Sequence, residues 1–88
     1  MKFEELKFRD ISSTHGEGAK QAIVGFENGY EVSVVKHKFS HGSDKGLYEI
    51  GVFNATGSMC DPLDWGDDVK GWLTPELVEK ELKSIEAI

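Results

Sequence analysis

The pair Asn28-Gly29, set between two apolar runs, restricts what this chain can fold into more than any other feature. Both residue types tolerate positive φ, so Asn-Gly favours the tight type I′ turn whose twist suits two paired strands. Ala22-Ile23-Val24-Gly25-Phe26 leads into it, and Tyr30, Val32, Val34 and Val35 lead out. With Asn28 and Gly29 as a two-residue loop, Glu27 faces Tyr30, Gly25 faces Val32 and Ile23 faces Val34. The other face pairs Phe26 with Glu31, Val24 with Ser33 and Ala22 with Val35. The first set is the expected core face, because the second mixes apolar with polar partners.

A helix start is equally legible. Thr74 is an N-cap, Pro75 has its φ preset for the first helical position, and Glu76 suits the positive helix end. Val78, Leu82, Ile85 and Ile88 then recur at helical spacing, flanked by Leu77. Glu76, Glu79, Lys80, Lys83 and Glu86 are expected on the outer face, with Glu76–Lys80 and Glu79–Lys83 as i,i+4 pairs. A helix this short is marginal alone and must dock its apolar stripe on a sheet.

Between hairpin and helix, Leu47 to Phe53 alternates as a third strand, with Tyr48, Ile50 and Val52 on one face. Asn54 to Asp68 is loop-like, and only Met59-Cys60 has the character to extend a strand. Val69 to Leu73 is a short fourth strand. Residues 1–10 are ambiguous, since Phe3 and Leu6 fit a helical turn while Leu6 and Phe8 fit a short strand. They lean towards a strand or extended segment laying its aromatics on the core, and Ile11 to Gly18 has loop composition. The expectation is one α+β domain over residues 1–88. It has a small antiparallel sheet of three to five strands, a hairpin or meander, packed by a C-terminal amphipathic helix.

Sixteen acidic residues against ten basic ones give a net charge of −6. That disfavours direct nucleic-acid or anionic-membrane binding, since phosphates need cationic surface. The charge is unevenly laid out. Lys36, Lys38 and Lys45 cluster near His37 and His41, whereas Asp61, Asp64, Asp67 and Asp68 cluster with no base among them. The plain reading of each cluster is a solvated loop; the functional one has the first offering cations to an anionic ligand and the second carboxylates to a cationic partner surface. No 18-residue apolar run exists, and Met1-Lys2-Phe3-Glu4-Glu5 lacks the apolar stretch of a signal peptide. With one cysteine, Cys60, no internal disulfide forms. A reducing, cytoplasmic setting is the expectation.

No catalytic, cofactor or metal site is expected. His37 and His41 have the i,i+4 spacing of zinc ligands, but their neighbours Phe39, Ser40 and Gly42 read as loop. The 61–68 segment lacks the alternating oxygen ligands and closing glutamate of a calcium loop. Cys60 has no local signature of an activated nucleophile, and the glycines do not form a phosphate loop. Of the two tryptophans, Trp65, inside the aspartates, is the better candidate for an exposed anchor of a binding surface, although packing under its loop is the plainer reading; Trp72 sits in the short strand before the helix.

Three segments carry a resemblance: Asn28-Gly29-Tyr30-Glu31-Val32-Ser33-Val34-Val35, Gly46-Leu47-Tyr48-Glu49-Ile50-Gly51-Val52 and Asp68-Val69-Lys70-Gly71-Trp72-Leu73-Thr74. Together they resemble small uncharacterised accessory proteins of tailed bacteriophages and prophages. The resemblance implies origin and setting, a phage-encoded protein in a bacterial host cytoplasm, and no mechanism. The resulting expectation is a non-enzymatic acidic binding protein acting on a host or defence protein through Asp61, Asp64, Trp65, Asp67 and Asp68. Alternatives are a binder (sponge) of a small anionic ligand at Lys36, Lys38 and Lys45, or a minor virion or assembly component. An exposed edge strand, either Leu47 to Phe53 or the N-terminal segment, also permits a homodimer.

Overall fold

The computed structural model of the protein describes residues 1–37 and 45–88. A 3-10 turn, Phe3–Glu5, opens the chain, followed by strand β1 (Arg9–Asp10) and a one-turn helix α1 (Ser12–His15). Strands β2 (Lys20–Gly25), β3 (Glu31–Lys36), β4 (Tyr48–Phe53), β5 (Met59–Cys60) and β6 (Val69–Leu73) come next, and helix α2 (Pro75–Glu86) ends the fold. All strand pairs are antiparallel, in the order β1-β2-β3-β4 with β5 and β6 both on the far edge of β4. The sheet is thus five positions wide, as the α+β reading expects, with its last position shared by two short strands.

The core lies between α2 and one sheet face. Val78, Leu82 and Ile85 of α2 are fully buried with Val32, Val34, Ile50 and Val52. Tyr48, Ile50 and Val52 share the inner face of β4, as their alternation predicts. Thr74 caps α2 as expected: its hydroxyl accepts from the Leu77 N–H at 3.2 Å, and Pro75 is the first helical residue. The apolar stripe differs in one place. Ile88 lies beyond the helix end and is exposed, while Glu81 takes an inward position among Val78, Leu82 and Ile85.

The β2–β3 hairpin departs from the expected register. The Phe26 N–H donates to the Tyr30 carbonyl at 2.8 Å, and the Gly29 N–H donates back to the Phe26 carbonyl at 3.1 Å. The loop therefore holds three residues, Glu27, Asn28 and Gly29, with Gly29 at φ 91°. This is a type I turn followed by a left-handed glycine, the commonest three-residue alternative. One extra loop residue shifts the pairing by one, so Ala22 faces Val34, Val24 faces Val32 and Ile23 faces Ser33. Ala22 and Val24 move to the core side, and Ile23 moves to the outer face, where it is 51% exposed.

Two smaller departures follow from local hydrogen bonds. Residues 1–10 are not one extended segment: the Lys2 N–H donates to the Glu5 carboxylate at 2.6 Å and closes the 3-10 turn. Ser12–His15, expected as loop, forms α1 because the Asp10 carboxylate accepts from the Ser12 N–H at 2.7 Å. The aromatic prediction holds in outline: Phe3, Phe8 and Tyr48 form a triangle with ring centroids 5.2–5.7 Å apart. Strand β4, offered above as a possible free edge, is paired on both sides and is no edge.

Candidate functional site

Along β4, the partner of Val52 is Cys60 and the partner of the preceding Gly51 is Val69. Strands β5 and β6 are therefore one line of backbone, from which residues 61–68 make a closed excursion. Asp61 ties that loop shut. Its carboxylate accepts from the Trp65 N–H at 2.7 Å and the Gly66 N–H at 2.8 Å. Such side-chain closure is what a short carboxylate at a turn supplies. Asp67 accepts the Asp68 N–H at 2.6 Å, and Asp64 turns the chain at φ 58°. The outward carboxylates are those of Asp64, Asp67 and Asp68, all on exposed residues.

Trp65 is not the exposed anchor. It packs against the core, and its indole N–H donates to the Glu81 carboxylate of α2 at 3.2 Å. Lys70 of β6 reaches the same carboxylate at 2.8 Å, with its ammonium 5.9 Å from the Trp65 ring. Glu81 is thus a polar pin joining loop, sheet and helix. Sequence reasoning passed over it, although its spacing from Val78 and Ile85 places it on the inner stripe.

The exposed tryptophan is Trp72, at 55%. Ile50 pairs with Lys70 and Tyr48 with Leu73, so Gly71 and Trp72 together stand opposite Glu49 in a bulge. Trp72 has φ 61°, a left-handed conformation that is an outlier for a bulky side chain and costs on the order of 1–3 kcal/mol. Gly71 was the available signal, since a glycine inside a strand often marks a bulge. Met59 of β5, also on this edge, is exposed as well.

Cys60 lies at the mouth of the loop, its thiol donating to the Val52 carbonyl at 3.7 Å. Burial, then the negative charges of Asp68 and Asp61, push its pKa up. The thiol is therefore held protonated at neutral pH, the opposite of what a nucleophilic cysteine requires. Among the described residues no group of three His, Cys, Asp or Glu side chains is placed to hold a metal ion.

The basic cluster is only partly described. Lys38 and His41 lie outside the described residues, and with them the zinc-like His37–His41 pair. Lys45 is exposed after the loop. Lys36 stands directly opposite Lys20 across β2 and β3, a residue not singled out by sequence. The Lys20 ammonium lies 4.8 Å from the Phe8 ring centroid and 5.4 Å from that of Tyr48, and Lys36 lies 5.5 Å from Tyr48. Both cations rest on the aromatic triangle, and no carboxylate among the described residues pairs with either. The His15 and His37 rings, from the segments next to these strands, are 5.0 Å apart.

The chain matches no protein-family model, no curated protein and no solved structure. No helix is long and apolar enough to cross a membrane among the described residues.

Proposed function

We propose that this protein is a non-enzymatic binding protein whose contact surface is the sheet edge made by β5, the 61–68 loop and β6. The observation that carries the reading is Trp72: a large aromatic side chain held outward in a conformation that costs energy. Backbone strain at an exposed aromatic supports a contact role, because folding alone gains little from it. Met59 adds a second exposed apolar group, and Asp64, Asp67 and Asp68 give the edge its sign. The complementary partner is a protein surface with an apolar pocket rimmed by lysine or arginine. With the resemblance to phage accessory proteins, that partner is a host or defence protein of the bacterial cytoplasm. Catalysis is no part of this reading.

The test is capture from lysate of a bacterial host. The wild type is expected to retain a partner that elutes as salt is raised to about 0.5 M, where exposed charges are screened. Trp72→Gly relieves the left-handed strain, leaves the fold intact and is expected to lose the partner. Undiminished capture by folded Trp72→Gly would sink the proposal.

A second reading, binding of a small anion, is favoured by Lys20 and Lys36. Like charges directly opposite each other oppose folding unless a counter-charge sits between them. Inorganic pyrophosphate is the probe: it should raise the thermal midpoint of the wild type, and Lys20→Gln with Lys36→Gln should remove that rise.

A further inference from the structure

The two sheet edges are finished differently. On the far edge, the 61–68 loop and the Gly71–Trp72 bulge interrupt the ladder, as natural sheets do to prevent strand pairing. On the near edge, β1 covers only Lys20 and Gln21. The chain before Arg9 then leaves the strand, with Phe8 turned to Tyr48 at 5.6 Å between centroids. Ile23-Val24-Gly25 is left without a strand partner on that side among the described residues, while Ala22 before it is buried, and the stretch contains no charge and no proline.

The direction of its peptide groups follows from two hydrogen bonds. The Ile11 N–H donates to the Ala19 carbonyl at 3.0 Å, so Ala19 faces β1. The Phe26 N–H donates to the Tyr30 carbonyl, so Phe26 faces β3. With a strand period of two, Ala22 and Val24 also bond to β3, whereas Ile23 and Gly25 turn N–H and C=O to the open side. Ile23 is half exposed, and a Cβ added to Gly25 would meet nothing within 4 Å. A protruding side chain and an empty position therefore lie two residues apart on one face.

We propose that this edge seats a second copy of the chain, β2 against β2 about a two-fold axis, with Ile23 of each copy opposite Gly25 of the other. Only this register uses both outward-facing residues of each strand. Facing Ile23 with itself would set Gly25 against Gln21, whose outward groups already pair with Arg9. Sliding the other way would set Ile23 against Glu27, which is in the turn. In the chosen register each Ile23 fills the space above a glycine, and Val24 meets its own copy at the axis. The hairpin turn brings Glu27 of one copy up to Arg9 of the other, opposite charges at both ends of the contact. Size and charge are both self-complementary, as an isologous interface demands.

Sedimentation of the full chain from about 5 μM to about 500 μM, in about 0.15 M salt, tests this. A monomer–dimer equilibrium is expected. Ile23→Lys changes an exposed side chain, keeps the wild-type circular dichroism and should weaken dimerisation at least about tenfold. Arg9→Glu should weaken it too, and Arg9→Glu combined with Glu27→Arg should restore it. A monomer throughout, or a dimer indifferent to Ile23→Lys, overturns the proposal. A dimer lost in Ile23→Lys that the charge exchange fails to restore overturns the register.

Discussion

The carboxamide of Asn28 reaches from the β2–β3 turn to the last turn of α2, where it donates to the carbonyls of Ile85 at 2.8 Å and Ile88 at 3.2 Å. Its oxygen meanwhile accepts from the Tyr30 N–H at 3.1 Å. One side chain thus shapes the turn and ties it to the end of α2, where the Ile85 carbonyl also accepts from the Ile88 N–H at 3.3 Å. Asn28→Asp keeps the turn oxygen but loses the donor and adds a negative charge at the negative helix end. It should cost about 1–2 kcal/mol in urea denaturation. Glu81 is the other residue whose role is set by distant partners. Glu81→Ala leaves the Trp65 N–H and the Lys70 ammonium without their acceptor. A loss of about 2 kcal/mol is expected, with a red shift of tryptophan emission as Trp65 gains solvent.

At the scale of elements, the joints between them decide what is fragile. The 3-10 turn docks on α2 through the Phe3 N–H, which donates to the Glu79 carboxylate at 2.8 Å. That hydrogen bond holds the Glu79 pKa below its usual value, with Lys83, Lys2 and the N-terminal charge adding to the effect. A depressed carboxylate pKa favours the folded state above the unfolded pKa, and the benefit disappears as pH falls through the folded one. The turn should therefore release from α2 in acid, below the normal glutamate range. Amide chemical shifts of Phe3 followed from pH 7 to pH 3 should show it, and Glu79→Gln should flatten the titration. The start of α2 is simpler. Thr74→Ala removes one cap hydrogen bond and should cost about 1 kcal/mol, read from the thermal midpoint.

For the whole molecule, stability is graded across the sheet. β3 and β4 are paired on both sides and buried beneath α2, so amides of Val32, Val34 and Ile50 should exchange slowest. Those of Ile23 and Gly25 should exchange fast in dilute protein and slow as concentration rises, if the edge pairs with its copy.

Much of this plan is local and was legible in the sequence. The β4 alternation, the Thr74-Pro75 helix start, the Val69 to Leu73 strand and the existence of a hairpin at Asn28-Gly29 all follow from period and turn chemistry. Each depends only on residues close in the chain. The hairpin register did not follow, because Asn-Gly fits a two- and a three-residue loop. The choice was tertiary, made where Asn28 reaches α2 and where Ala22 and Val24 gain burial over Ile23. Which tryptophan stands exposed is tertiary for the same reason. Trp65 is polar in its sequence neighbourhood, yet Asp61 folds the loop back and Glu81, sixteen residues on, meets its indole. Trp72 sits in a strand, yet the bulge opposite Glu49 turns it outward. Sequence by itself determined the main strands β2, β3, β4 and β6, helix α2 and where charge collects, while the 3-10 turn and α1 escaped it. The tertiary structure alone decided which side chains remain exposed, because exposure depends on register and on contacts between residues distant in the chain.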